Sequence, residues 1–305
     1  MSALFIIAML ATAPERSPAE EVRAAAIDAA TVPAEVRHGV RYLTLYNLDP
    51  SRRDETERAV SYVLNALSRS RVISKPRQVS PTLLRFDISQ YAPDKKEFQA
   101  WFDAWEQLIE VDPYFHLRTE VLVGKAIKSV TTDGGWVGLE NARELHRSTG
   151  SAGAILRADF FLAHATIPPH YHNFAGIPAT ENEFLKSLGV DRDVIVRLRA
   201  NAGANLVISG VTGKPRRVIW SQGPLGGVYA TLDVQAVDAT RDPLRRPVSA
   251  EGLELKYDAS EWFAVAPNGM WRTAIFNAEG KRQDAVPDRV AKDTSDPHGD
   301  GIIVP

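Results

Sequence analysis

The apolar positions of this chain fall into two rhythms. Arg41-Tyr42-Leu43-Thr44-Leu45-Tyr46 is dense in aromatic and β-forming residues and predicts a strand. Val60, Val63, Leu64 and Leu67 then recur at i, i+3, i+4 and i+7, so residues 54–69 predict a helix with one apolar stripe. Asp54, Glu55 and Glu57 near its start and Arg69 at its end suit the helix dipole. Residues 71–75 and 83–89 predict strands on either side of a Pro76–Pro81 connection. In the second, Leu84, Phe86 and Ile88 alternate with Arg85 and Asp87, which gives one buried and one wet face. Phe98, Trp101, Phe102, Trp105 and Leu108 put a bulky stripe on a helix over 95–110, and Asp112-Pro113 stops it. Residues 117–123 predict a further strand. The order β-α-β-β-α-β is that of a ferredoxin-like split unit.

Gly134-Gly135 and the polar residues before it mark a boundary. The expected organisation is a signal-like segment over 1–20, a polar, Ala-rich link to about residue 32, an α+β domain over 36–130 and a second, β-rich domain over 137–305. The second unit predicts a short helix near 139–148, a strand over 155–165 and an irregular stretch over 168–180 that holds Pro168, Pro169, Gly176 and Pro178. Thr180 with Glu183 three residues on is a capping box, and Gly189 closes the helix it opens. Asp191 caps another short helix to about Ala200. Beyond it the pattern is mostly antiparallel β, with strands at 206–211, 216–221, 227–233, 253–257, 261–265 and 271–276. The fold class expected is α+β.

The first residues add a location. Leu4-Phe5-Ile6-Ile7-Ala8-Met9-Leu10 is an apolar run followed by Ala11-Thr12-Ala13, an A-x-A-like site, which describes a secretory signal cleaved after about Ala13. No Lys or Arg precedes the run, so a buried N-terminal strand or helix is the alternative. The run is shorter than the roughly 20 residues that span a bilayer. The expected location is periplasmic or secreted, with no membrane span beyond the signal.

Composition then removes chemistry. Among 305 residues there is no cysteine, which excludes disulfides, thiolate catalysis, cysteine–zinc sites and iron–sulfur clusters. With 36 Lys plus Arg against 38 Asp plus Glu, the net charge is −2, and no basic field exists to hold nucleic acid. G-x-S-x-G, H-E-x-x-H and G-x-G-x-x-G are all missing. Gly210-Val211-Thr212-Gly213-Lys214 has the wrong spacing for a phosphate loop and is followed by Pro215 where a hydroxyl is required, so a hairpin turn is the better reading. One local pattern holds possible metal chemistry: His170 and His172 in His170-Tyr171-His172, with His164 upstream. On a strand, H-x-H puts both imidazoles on one face. Asp159 or the Glu181/Glu183 pair would supply the carboxylate. The bland reading is a pair of satisfied or exposed loop histidines.

A longer pattern remains. Arg41-Tyr42-Leu43-Thr44-Leu45, Asn65-Ala66-Leu67-Ser68, Arg85-Phe86-Asp87-Ile88, Trp101 with Trp105, Asp112-Pro113-Tyr114 and Leu156-Arg157-Ala158-Asp159-Phe160-Phe161 occur in that order. They are followed by Leu188-Gly189-Val190-Asp191, Ser209-Gly210-Val211, Pro267-Asn268-Gly269-Met270, Asn277-Ala278-Glu279-Gly280 and Asp284-Ala285-Val286-Pro287. In this series, over roughly residues 36–300, the chain resembles the region upstream of the C-x-x-C-H motif in exported bacterial proteins of unsettled function that carry a c-type cytochrome motif. In that family a Gly-x-Ser-Cys-x-x-Cys-His segment resembles a continuation of the region after Asp293. This chain instead runs from Asp296 to Pro305 without cysteine, so haem attaches to no residue in it. The resemblance implies haem c only if the intact protein continues past Pro305, and it implies a redox partner protein.

Three functions are therefore expected in competition. The first is a non-catalytic extracytoplasmic module that accompanies a c-type haem segment in electron-transfer proteins. The second is a ligand-binding module using the aromatic and Pro-rich loop 168–178. The third is a metal-dependent enzyme centred on His170 and His172. No cofactor is expected in the chain itself, and a role other than catalysis is favoured. The pattern says nothing of oligomeric state.

Overall fold

The computed structural model describes residues 17–112, 139–151, 153–191, 202–208, 215–234 and 257–285. Helix α1 (Pro18–Thr31) takes the place of the expected link. Ser17 and Glu20 close a capping box at its start, so residues 18–20 belong to this helix. Its buried apolar side chains, Val22, Ala25, Ala26 and Ala29, sit at i, i+3, i+4 and i+7. The helical spacing was present in the sequence, but in small residues that read as a linker.

Strand β1 (Val40–Thr44) is buried along its whole length. Successive side chains point to opposite faces. Tyr42 therefore packs under α1, while Leu43 faces α2 (Pro50–Ala66) and α4 (Lys95–Glu110). Asp49 and Pro50 start α2 earlier than the apolar stripe alone suggests, because the Asp49 carboxylate accepts the Ser51 N–H at 2.8 Å. Helix α4 has the expected limits, with Asp94 accepting from the Lys96 and Glu97 N–H groups. Strand β3 (Leu83–Asp87) leads directly into a single turn, α3 (Ile88–Tyr91).

The first sheet has the order β2-β3-β1-β4. Strand β2 is Arg77–Ser80, inside the stretch expected to be a connection, and residues 71–75 are not a strand. Asn65 explains the difference. Its side-chain amide donates to the Ser74 carbonyl at 2.7 Å and its oxygen accepts the Ser74 N–H at 2.9 Å, which takes that backbone out of any ladder. Strand β1 pairs antiparallel with β3, Leu43 opposite Leu84, and β3 pairs antiparallel with β2. On its other side β1 pairs parallel with β4 (Ile155–Arg157), Leu43 opposite Leu156. A strand expected to open the second unit thus completes the first sheet. Helix α5 (Leu139–Thr149) contributes Leu145 to the layer behind that sheet.

Only three residues of the expected 155–165 strand are extended. The rest is α6 (Ala158–Ala165), because Ala158, Phe161 and Ala165 are buried at helical spacing. The stretch 168–180, expected to be irregular, contains the short helix α7 (His170–Ala175). Gly176 ends it at φ +70°, and a Cβ there would sit 2.6 Å from the Arg69 guanidinium carbon. Helix α8 (Glu181–Ser187) has the expected capping box, Thr180 with Glu183. Gly189, at φ +67°, closes it as expected, with Val190 N–H on the Leu185 carbonyl and Gly189 N–H on that of Lys186.

The second sheet is an antiparallel meander: β5 (Ala202–Ile208), β6 (Pro215–Gly223), β7 (Gly226–Asp233), β8 (Ala259–Val265), β9 (Trp271–Asn277) and β10 (Arg282–Gln283), in that spatial order. Ser260, Trp262 and Ala264 of β8 turn inward, and residues between them are half-buried. Inward-facing Ala230, Trp262, Ala274 and Phe276 join Trp101, Trp105 and Phe174 in one apolar cluster, so both sheets close on a common core. Helices and sheets of both kinds make the fold α+β. The strand expected at 117–123, the helix after Asp191, the strand leading to Tyr257 and the signal-like segment before Ser17 lie outside the described residues.

Candidate functional site

A cavity of about 290 Å³ opens where α2, the turn between α6 and α7, and the β9 edge meet. Helix α2 contributes Tyr62, Val63, Ala66 and Leu67. The turn and α7 bring Thr166, Pro168, Tyr171 and His172. Strand β9 adds Trp271, Thr273 and Ile275, which share one face of the sheet, and Gln283 to Ala285 close the far side.

Helix α7 is too short to stand alone, and tertiary contacts fix it. Arg69 donates to the carbonyls of Asn173 (2.9 Å) and Phe174 (3.2 Å), which are left over at the helix end. The Arg282 guanidinium donates to the Ile177 carbonyl. The Thr273 N–H donates to the Tyr171 hydroxyl at 2.9 Å, and Phe174 packs edge-on to Trp101 at 4.6 Å. On the α2 side, Asn268 donates to the Asn65 carbonyl and Arg272 to that of Ser68, both at 2.8 Å.

His172 is the one polar side chain of this cleft that is both ionisable and buried, at 3% exposure. Its Nδ1 lies 3.2 Å from Asp284 Oδ1. Burial, and next the Arg282 charge, hold its pKa down to about 4, although Asp284 pulls the other way. The imidazole is therefore neutral at pH 7. Asp284 accepts from Nδ1–H, which leaves Nε2 as a lone-pair acceptor.

His170 does not join it. The two histidines lie on a helix rather than on a strand, so two positions apart they point about 200° away from each other. His170 is half-buried, its Nδ1 has no hydrogen-bond partner, and burial lowers its pKa. His164 Nδ1 contacts the Phe160 carbonyl at 2.9 Å, and its ring stacks on Phe160. The proposed carboxylates are engaged elsewhere. Asp159 accepts from Asn47 and lies 3.4 Å from Arg157. Glu183 holds the Thr180 cap. Glu181 is buried under the second sheet and accepts from Tyr257, Ser260 and Trp262. No group of three metal-ligating side chains occurs among the described residues. The carboxylate that does reach a histidine is Asp284, 112 positions from His172. No local spacing signals that pair.

A pH dependence follows. In the unfolded chain His172 takes a proton near pH 6.5, but in the folded protein only near pH 4. Between these values the unfolded state binds more protons, so the stability held above pH 6.5 falls as the pH drops towards 4. The loss attributable to His172 is about 2–3 kcal/mol. Urea unfolding at pH 7 and pH 4.5 measures it, and the drop shrinks by that amount in His172→Gln. An equal drop in both proteins refutes the assignment.

The chain matches no family model, no curated protein and no solved structure. No helix among the described residues is long and apolar enough to cross a membrane.

Proposed function

We propose that this protein is a non-catalytic binding module whose cleft takes a small, largely apolar molecule. The supporting observation is the cavity of about 290 Å³, walled by aromatic and aliphatic side chains and holding one buried, neutral imidazole. Small-molecule sites are mostly apolar, with a few placed polar groups. An apolar cavity of about 150 Å³ accepts benzene, so this one has room for a substituted ring. The second histidine points away and the carboxylates named from sequence are committed elsewhere, so the metal-dependent reading has no support from this geometry. A thermal-unfolding screen of single-ring compounds tests the proposal, with and without added zinc. A metal-independent rise in Tm is the expected result. One equivalent of zinc, iron or copper in untagged protein, lost in His172→Ala, would reverse it in favour of the enzyme.

A second reading is favoured by where the resembling segments meet. Ala66, Leu67, Asp284 and Ala285 line the cleft, and Asn268 bonds to Asn65 beside it. These residues come from three separate motifs of the family resemblance. Their convergence supports an exported module that accompanies a c-type haem segment and its redox partner, with this cleft as the shared feature. The gene sequence 3′ of the Pro305 codon tests it: a C-x-x-C-H segment is expected, and a stop codon there counts against it.

A further inference from the structure

We infer that the cleft is selective for a neutral aromatic ring carrying a hydroxyl group, a phenol, whose O–H donates to Nε2 of His172. The inference rests on the binding reading above and names its ligand class.

The acceptor comes first. The His172 imidazole is almost wholly buried, and it lines the cavity. A carboxylate only accepts, so the 3.2 Å contact with Asp284 fixes the proton on Nδ1. Nε2 then presents a lone pair, and no hydrogen bond to it is made by any described residue. Nε2 is not sealed off and keeps accessible surface where His172 lines the cavity, so a ligand hydroxyl can satisfy it there. A ring that only accepts, or carries no polar group, leaves it unsatisfied.

The walls favour a flat ring. Tyr62 and Trp271 flank the mouth, both more than half exposed, and each offers an open aromatic surface to the cleft. Trp271 is held against the Tyr229 ring with centroids 6.1 Å apart. Val63, Leu67 and Ile275 supply the aliphatic lining. Aromatic pairs in offset or edge-on contact add to what area burial alone gives.

Charge excludes the common alternatives. The Asp284 carboxylate lies at the rim, 61% exposed, and repels an anionic ring such as benzoate. Arg282 commits one guanidinium N–H to the Ile177 carbonyl, but its charge also reaches His172 and offsets part of this repulsion, so benzoate is the competing ligand that the titration has to exclude. An ammonium is drawn to Asp284 only at the exposed rim, where water weakens the pair, and its desolvation against the apolar walls is far more costly than that of a neutral hydroxyl.

The test is a titration of the full chain at pH 7 with phenol, toluene, benzoate and benzylamine, followed by Trp fluorescence and by the ¹⁵N resonances of His172. Phenol is expected to bind about fivefold more tightly than toluene, the value of one net hydrogen bond. It is also expected to move the Nε2 resonance rather than that of Nδ1. Asp284→Ala, at an exposed position, frees the tautomer and should reduce the preference for phenol without unfolding the protein. Equal binding of phenol and toluene overturns this inference but leaves the binding module standing. Tighter binding of benzoate or benzylamine also overturns it. Failure of all four to bind removes the binding reading itself.

Discussion

Trp105→Ala is expected to cost about 3–5 kcal/mol of stability, the usual penalty for truncating a large core aromatic. Trp105 is fully buried, and its ring lies 5.6 Å from Phe86 and 5.9 Å from Phe161. Its Nε1–H donates to the Gly153 carbonyl at 2.8 Å, so truncation also strands a buried acceptor. The effect reaches beyond a cavity. Phe86 belongs to β3 and Phe161 to α6, so the ring joins the first sheet to the segment that leads into the cleft. Arg41 adds to the loss: its guanidinium lies 4.6 Å over Phe102 and 6.0 Å from Trp105. Burial holds its pKa down to about 10, with Glu106 and Asp87 opposing. Urea unfolding followed by circular dichroism measures the change. A midpoint within error of the parent would show that this ring is not a structural keystone.

Glu181→Ala is expected to cost a similar amount, about 3–5 kcal/mol, because each buried donor left without its acceptor costs about 1–3 kcal/mol. Oε1 accepts from Ser260 Oγ at 2.6 Å and from Trp262 Nε1 at 2.7 Å, and Oε2 accepts from Tyr257 O–H at 2.7 Å. Alanine takes this acceptor from the Tyr257 and Ser260 hydroxyls and leaves Trp262 Nε1 only its 3.2 Å contact with Ser260 Oγ. Glu181→Gln keeps one accepting oxygen and offers an amide that Tyr257 can meet as acceptor, so its cost should be at most half as large. The comparison of the two variants by urea midpoint separates polar satisfaction from loss of volume. A Glu181→Gln cost within error of zero would mean that the side chain acts as filler, whereas a Gln cost equal to that of Ala would mean that both accepting oxygens are needed.

The periodic helices were legible because one local property decides them. Trp101, Trp105 and Leu108 repeat at helical spacing, and Asp94 caps them, so α4 is set by side chains within one stretch. The burial of Trp101 and Trp105 against Phe86 followed from the same stripe. Alternation in β3 worked likewise. Local reading failed where a distant partner changes the outcome. Asn65 binds the Ser74 backbone and moves the edge strand to Arg77–Ser80. Phe161 meets Trp105 and Phe174, and the chain after Arg157 coils to bury it. The alanines of α1 looked like a linker because their apolar character is visible only against the sheet they cover.

By itself, then, the sequence determined the α+β class, the absence of thiol chemistry, the apolar stripes of α2 and α4, the capping box of α8, and strands β6 to β9 of the antiparallel meander. Each of these depends on neighbours a few residues apart. Tertiary structure alone decided that β4 completes the first sheet, that the loop holding His170 and His172 is a helix, and that Asp284 rather than a nearby acid pairs with His172. Those outcomes depend on which apolar faces remain to be covered once the local elements exist, and on groups brought together across 112 positions of chain. Burial also set the chemistry of the site, because the same imidazole titrates near pH 6.5 in water and near pH 4 between β10, Arg282 and the cleft wall.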